Sequence, residues 1–449
     1  MTEFRSLFAL LLSTALLVTG HGLHYTLLPL RAAENGFSAT QIGLTGSVYF
    51  AGFMTGCFIN PHIIARVGHI RCFAALVALF LASMLLLDVF TQWWLWLVLR
   101  FVIGVMMCGA YTVIESWLTD QTPMSARGRV LAIYTFLALS AMVAGQLLVN
   151  LAPISSSTPF IILGIILALS IVPVSLTRSL APAPISRTRL SFMLLYRRSR
   201  TAFAGGLVSG LVMGSFWSLG AVYALNMSGE SSFAPLFITA CVAGGALGQY
   251  PIGVFSDRID RRYILAALCL LTAASSLLLA FQDSKFWLIA FAGCFGASAN
   301  ALYPLSLAKA SDNSERDEFV LIGSSVLLLH ALGAALAPLA VGPLMNQFGP
   351  QALFSSLSIL SVLFGLYIVL QPRSETAVAA AVQGSFIAVG VETVPASFEI
   401  DPRSTEDMSH PIEAAHEPLS TYDAAEVAEE NVDVSAPEIA ERARETDFR

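Results

Sequence analysis

Charge is what this chain has least of. Only 12% of its 449 residues are Asp, Glu, Lys or Arg, about half the share of an ordinary soluble domain. With 56% hydrophobic residues, there is more apolar surface than water-soluble cores can hide, so lipid is the expected solvent for most of the chain. Nothing resembles a phosphate-binding loop, a metal site or a hydrolytic triad, which argues against ATP as the energy source and against catalysis. No cofactor, metal ion or nucleic-acid partner is implied. The cysteines are few and single: Cys57, Cys72, Cys108, Cys241, Cys269 and Cys294 show neither metal-ligand spacing nor a disulfide framework, and read as small core residues.

What the chain does have is a series of twelve apolar runs, near 5–29, 40–64, 70–90, 92–117, 129–150, 158–177, 202–226, 232–255, 262–281, 285–308, 318–345 and 350–371. Each is close to the roughly 20 residues that a spanning helix needs, and only helices or closed barrels satisfy their backbone groups in hydrocarbon. The first run follows Arg5 but is too long for a signal peptide and lacks a small-residue cleavage site, so it reads as a retained helix. With the N-terminus inside, 17 Lys and Arg fall in cytoplasmic links and two, Arg31 and Lys285, outside. That asymmetry predicts both termini in the cytoplasm.

The runs divide six and six. Residues 1–177 form a first bundle, 178–200 a link with six arginines and no acid, and 201–371 a second bundle. Leu190 to Tyr196 makes part of the link apolar, which suits either a basic amphipathic segment on anionic lipid or a solvated linker. Laid 192 residues apart, the halves match Arg66 with Arg258, Gly104 with Gly296, Tyr111 with Tyr303 and Tyr25 with Trp217. Two like-oriented bundles imply a pseudo-two-fold axis along the membrane normal and a site between them. Residues 372–449 carry 17 acids against five arginines, with recurring proline and few aromatics. This tail is expected to be disordered in the cytoplasm, with at most a short helix around Tyr422 to Glu430, and available to a cytoplasmic partner.

Between the eighth and ninth runs lies Gly253-Val254-Phe255-Ser256-Asp257-Arg258-Ile259-Asp260-Arg261-Arg262. It resembles the G-x-x-x-D-R-x-G-R-R signature of the major facilitator superfamily, with Asp260 in place of the second glycine. The matching first-half loop, Pro61 to Arg71, keeps Arg66 but has Ala65 in place of the aspartate. A cytoplasmic gate of Arg66, Gly253, Asp257, Arg258, Arg261 and Arg262 is therefore expected, with its weight on Asp257. The fourth run carries the family's Arg100-x-x-x-Gly104 element, followed by Tyr111 and Glu115. At 100° per residue these lie about 40°, 20° and 60° from Arg100, on one helix face. A charge inside a span marks a functional candidate unless it braces another helix. For Glu115 the alternative is an interfacial brace to Arg127 or Arg129.

His21, His24 and Tyr25 share one side of the first run. Either histidine can relay a proton near neutral pH or serve as a hydrogen-bonded packing residue. Gln146 and Asn150 in the fifth run, and Trp217, Tyr223, Asn226, Asn300, Tyr303 and His330 in the second half, suit an amphipathic pocket or interhelical packing. Gly210-x-x-x-Gly214 and Gly244-Gly245-x-x-Gly248 permit close helix contact. Pro304, Pro338 and Pro343 are expected to interrupt the tenth and eleventh runs.

Residues 1 to about 371 are similar throughout to a twelve-span transporter of that superfamily. The stretches Arg100 to Asn150, with Ile114-Glu115-Ser116-Trp117 and Arg127-Gly128-Arg129, and Gly248 to Arg262 look like its bacterial YcaD-like branch. The resemblance implies an all-α fold of two six-helix bundles and alternating access around a cavity lined chiefly by spans one, four, seven and ten. It does not supply a substrate; the first expectation is a monomer in the bacterial inner membrane that moves a small organic solute, with protons as a candidate coupling ion. The antiporter element, a glycine-rich G-P pair in span five, is absent from Ala141 to Leu151, which argues against drug/proton antiport. The competing expectation is a transport-inactive scaffold or sensor that recruits a partner through the acidic tail.

Overall fold

A computed structural model describes residues 2–123, 126–176, 190–315 and 318–371, together with Val394, Pro395 and Phe398. Among them there are helices and no strands. In chain order these are α1 Thr2–Glu34, α2 Ala39–Val67, α3 His69–Val89, α4 Trp93–Gln121, α5 Arg127–Leu148, α6 Thr158–Ser175, α7 Phe192–Arg198, α8 Arg200–Ser228, α9 Phe233–Ser256, α10 Arg261–Ala280, α11 Lys285–Asp312, α12 Phe319–Phe348 and α13 Ala352–Leu370. Twelve of them, all but the seven-residue α7, are long and apolar enough to cross a membrane. The expected twelve runs are therefore all present. Several helices extend beyond their apolar cores, as α1 does to Glu34.

Local chemistry sets the helix ends. Ser38 accepts the Gln41 amide proton while Gln41 Oε1 accepts that of Ser38, a reciprocal cap for α2. Asp260 accepts the Arg262 amide proton at 2.9 Å and so starts α10. Gly229 stops α8 in the left-handed conformation, at φ 70°. Pro304, Pro338 and Pro343 do not interrupt their spans: α11 and α12 run continuously through them. Pro338 has no N–H to give to the Ala334 carbonyl, and that oxygen instead lies against Gly214 of α8.

The duplication is visible in the packing. Gly104 of α4 seats against the Tyr49 carbonyl of α2, and 192 residues on, Gly296 of α11 seats against the Cys241 carbonyl of α9. Gly52 against Phe101 and Gly244 against Gly293 repeat the same seam. A side chain at these positions would collide with the facing backbone, so the small residues set the helix spacing. Large apolar side chains such as Phe136, Leu247 and Tyr250 stay exposed on the bundle exterior, where hydrocarbon is their solvent. Trp93, Trp94, Phe286 and Trp287 begin α4 and α11 as an exposed aromatic rim. Of the six cysteines five are buried, but Cys294 is exposed and so is not a core residue.

The halves meet at the end opposite the arginine-rich links. There Asn346 of α12 accepts the Ala39 amide proton and donates to Thr40 Oγ1 of α2. Thr239 of α9 donates to Gln146 Oε1 of α5, and Asn150 donates to the Ser232 carbonyl. Gly43 faces the Pro338 carbonyl and Gly46 the side chain of Ser218. In the link, α7 is capped by Ser191 and buries Leu195 against the second half while Phe192, Met193 and Tyr196 remain exposed. Arg198 bridges Glu315 and Glu318 at 2.8 and 2.9 Å.

The proposed helix at Tyr422 to Glu430 lies outside the described residues. One part of the tail does make contacts: Val394 and Phe398 are fully buried, and the Phe398 ring covers Gly323 and stands edge-on to Phe319. The expectation of a tail without ordered contacts is amended at these two residues.

Candidate functional site

Arg100 sits seven residues into α4, about 10 Å from its start, and is only 5% exposed. Its Nε donates to the Thr45 carbonyl of α2 at 3.3 Å, Nη1 donates to His24 Nε2 of α1, and the guanidinium lies over the Tyr49 ring at 4.6 Å. Because Nε2 of His24 receives a proton there, a neutral His24 carries its own proton on Nδ1. His21 is held on both sides, its Nδ1 3.0 Å from the Tyr111 hydroxyl and its Nε2 3.1 Å from the Tyr49 hydroxyl. Tyr25 donates to Tyr49 at 3.5 Å. Its ring packs 4.8 Å from Trp217 of α8, which carries the cluster across to the second half.

The common face expected on α4 serves three neighbours in turn. Gly104 admits the α2 backbone, Tyr111 reaches His21, and Glu115 accepts the Tyr134 hydroxyl of α5 at 3.0 Å. Gln146 and Asn150 lie at the junction of the halves rather than beside Arg100. A second cluster sits in the C-terminal half, where His330 shares a hydrogen bond with Ser209 at 2.9 Å and packs 4.9 Å from Tyr303. Asn300 instead braces α11, donating to the Gly296 carbonyl and facing Gly245 of α9. Tyr223 donates to the Leu279 carbonyl and belongs to an aromatic core with Phe237 and Phe354.

At the basic end, Arg261 is 1% exposed. It binds Asp312 Oδ1 at 2.5 Å and the Ala308 carbonyl at 2.9 Å, whereas Asp257 stands at 3.5 Å and is 42% exposed. The closest carboxylate on Arg261 is thus Asp312, at the end of α11. Asp260, where the family signature has glycine, caps α10 and approaches Lys309 at 3.6 Å. Arg262 donates to the Ile368 and Gln371 carbonyls at the end of α13, and Gly253 is buried in α9. Arg66 and Arg258, matched by the repeat, are both exposed.

Tyr49 and Asp312 were not singled out from the sequence. Tyr49 was findable only indirectly, because a tyrosine in an apolar span carries no charge to mark it. Asp312 had a plainer signal: a carboxylate at the end of a span beside a basic loop. Among the described residues, no group of three or more His, Cys, Asp or Glu could hold a metal ion.

Two segments, 10–243 and 202–400, match the sequence model of the Major Facilitator Superfamily. The chain is 31% identical over 365 residues to the uncharacterised MFS-type transporter YcaD of Escherichia coli, covering 80% of this chain and 94% of that protein. Its fold resembles the nucleoside transporter NupG, with a TM-score of 0.70 at 10% identity over 81% of this chain and 98% of that one. It also resembles an inward-facing bacterial homologue of the lysosomal transporter Spinster, with a TM-score of 0.64 at 16% identity over 85% and 96% of the two chains. Those two likenesses speak to fold alone. The sequence match spans both halves, and the halves repeat one packing seam around a shared polar cluster: the chain belongs to the Major Facilitator Superfamily of transporters.

Proposed function

We propose that the protein is a secondary active transporter of a small organic solute in a bacterial inner membrane, working by alternating access as a monomer. The observation that carries this reading is the packing of the Tyr25 ring against Trp217. It places the buried Arg100, His24, His21 and Tyr49 cluster at the seam between the halves, just below the end where they touch. The 17-to-two distribution of basic residues supports cytoplasmic termini. In that orientation the contacts between α2 and α12 and between α5 and α9 close the outer face. Rocking the halves about the seam exchanges this closure for one at the cytoplasmic face, where Asp257, Arg258, Arg261 and Arg262 lie.

Protons are the coupling ion proposed, and His21, held between two hydroxyls, is the residue through which that coupling is to be tested. One charge moving down 100 mV releases about 2.3 kcal/mol, enough for roughly fifty-fold accumulation. Comparing metabolites in deletion and overexpression cells, followed by uptake of the altered compound into proteoliposomes, tests the proposal. Uptake that exceeds empty liposomes and collapses with the gradient is expected. Failure of every altered compound to enter would leave the membrane-scaffold reading in its place.

A further inference from the structure

Among the described residues three basic side chains other than histidine are buried: Arg100, Arg261 and Lys309. Arg261 has Asp312 at 2.5 Å and Lys309 has Asp260 at 3.6 Å. Arg100 has a carbonyl, a neutral imidazole and a tyrosine ring. Among the described residues, the carboxylates of its bundle that are not solvent-exposed, Asp88 and Glu115, are engaged elsewhere. Asp88 binds Arg31 at 3.1 Å. Glu115 accepts the Tyr134 hydroxyl fifteen residues further along α4, about 22 Å away at the rise of a helix. An unmatched guanidinium in a membrane interior is costly, and dipoles and a ring face compensate it only in part.

Packing does not demand this charge, because the same fold is built without it in the second half. Offset by 192 residues, the C-terminal bundle holds Ala292 for Arg100, Phe216 for His24 and Cys241 for Tyr49, and all three are buried. The glycine seam beside them is nevertheless the same, Gly104 against Tyr49 and Gly296 against Cys241. The charged set is therefore an addition to one half of a repeat that closes perfectly well with apolar residues.

Its spare hydrogen-bonding capacity includes N–H donors on both sides of the seam. His24 Nδ1, which bears the proton, has only the His21 backbone one turn back in α1, outside ordinary hydrogen-bond geometry. Trp217 Nε1, a group that can only donate, is buried without a partner on the opposite side of the seam. Tyr25 lies between the two, its ring 5.1 Å from His24 and 4.8 Å from Trp217. A positive charge, a wholly idle indole N–H and an imidazole N–H held only by its own helix form a site short of acceptors. A carboxylate, phosphate or sulfonate supplies negative charge and several lone pairs together.

We infer that this site recognises an anionic group on the transported solute, with Arg100 as its counter-charge, His24 as the residue that orients the guanidinium and Trp217 as a donor from the other half. The inference rests on the transporter reading and narrows it to organic acids. It also gives the two halves a reason to close together, since the anion is complete in its contacts only when Trp217 approaches the N-terminal cluster.

The full-length protein in liposomes is offered an aqueous metabolite extract of bacterial cells, and the contents are compared with empty liposomes by mass spectrometry. The enriched solutes should be acids. For one of them, Arg100→Lys and Trp217→Phe, which keeps the ring and drops only the N–H, should each raise KM by about tenfold or more at unchanged thermal stability. Arg100→Gln should abolish its enrichment. Should that variant fail to fold, the selectivity of the unaltered protein decides. Enrichment of neutral or cationic solutes alone would overturn the anion site and leave the transporter standing. An unchanged KM in both conservative variants would overturn the site as well, and enrichment of nothing would overturn the transporter reading together with it.

Discussion

Asn346→Ala should loosen the closed outer end. Asn346 Oδ1 accepts the Ala39 amide proton at 3.0 Å and its Nδ2 donates to Thr40 Oγ1 at 2.6 Å. The Ala39 amide opens α2 and is one of the donors that a helix leaves without an internal acceptor. An asparagine from the other half thus caps α2, and does so only while the halves are together. Both bonds are solvent-exposed, and water replaces them on opening, so each contributes no more than about 0.5–1.5 kcal/mol. A combined 1–2 kcal/mol favours closure by roughly 5- to 30-fold, and the variant should lose that factor. Spin labels on cysteines replacing the exposed Glu34 and Gln347 report the separation across this end, and the longer-distance population should rise accordingly. Gly43→Val should act in the same direction, because a Cβ at Gly43 would stand 2.6 Å from the Pro338 carbonyl oxygen. Distance distributions that are identical in the parent and both variants would refute the reasoning.

In a background without native cysteines, Cys at Arg258 should label only from the cytoplasm and Cys at Ser284, also exposed, only from outside; the reverse pattern would invert the topology. Asp312→Ala leaves Arg261 buried without its 2.5 Å partner and should lower stability by about 3 kcal/mol or more. Asp257→Asn removes a half-exposed partner at 3.5 Å and should cost less than about 1 kcal/mol, so equal thermal shifts would contradict the ranking. The Arg198 hydrogen bond holds the Glu318 carboxyl below the ordinary carboxylate range. Its contribution is therefore complete above the ordinary glutamate value of about 4.3 and lost as pH falls through the lowered one. A fluorophore at Met193 should report release of α7 only in that acid range, and Arg198→Gln should remove the pH step. Truncation after Arg373 gives up Phe398 and Val394, about 1.5–3 kcal/mol each at most, in contacts of the tail rather than between one span and another. Insertion and basal uptake should survive it, which a transport assay on the truncated protein checks.

The number and placement of the twelve spans were legible in the sequence because they depend on composition over some twenty residues, and hydrocarbon enforces that composition locally. The duplication was legible too, since the seam glycines Gly104 and Gly296 must both be small where one helix backbone meets another. Arg100 stood out because charge is rare in a span. Proline was misleading by the same local logic: Pro304, Pro338 and Pro343 lack a donor, but α11 and α12 stay continuous through them, and at Pro338 the freed Ala334 carbonyl lies against Gly214 of the neighbouring helix. Partnerships were beyond the sequence. Tyr49 as the hub between His21, Tyr25 and Arg100, Asp312 in place of Asp257 as the nearest carboxylate on Arg261, and Asn300 as a brace inside one half each join positions dozens of residues apart. Hydropathy and charge along the chain reflect each residue's affinity for lipid or water. Which polar groups satisfy one another inside the bundle depends on contacts of a few ångströms between helices, and only their packing fixes those distances.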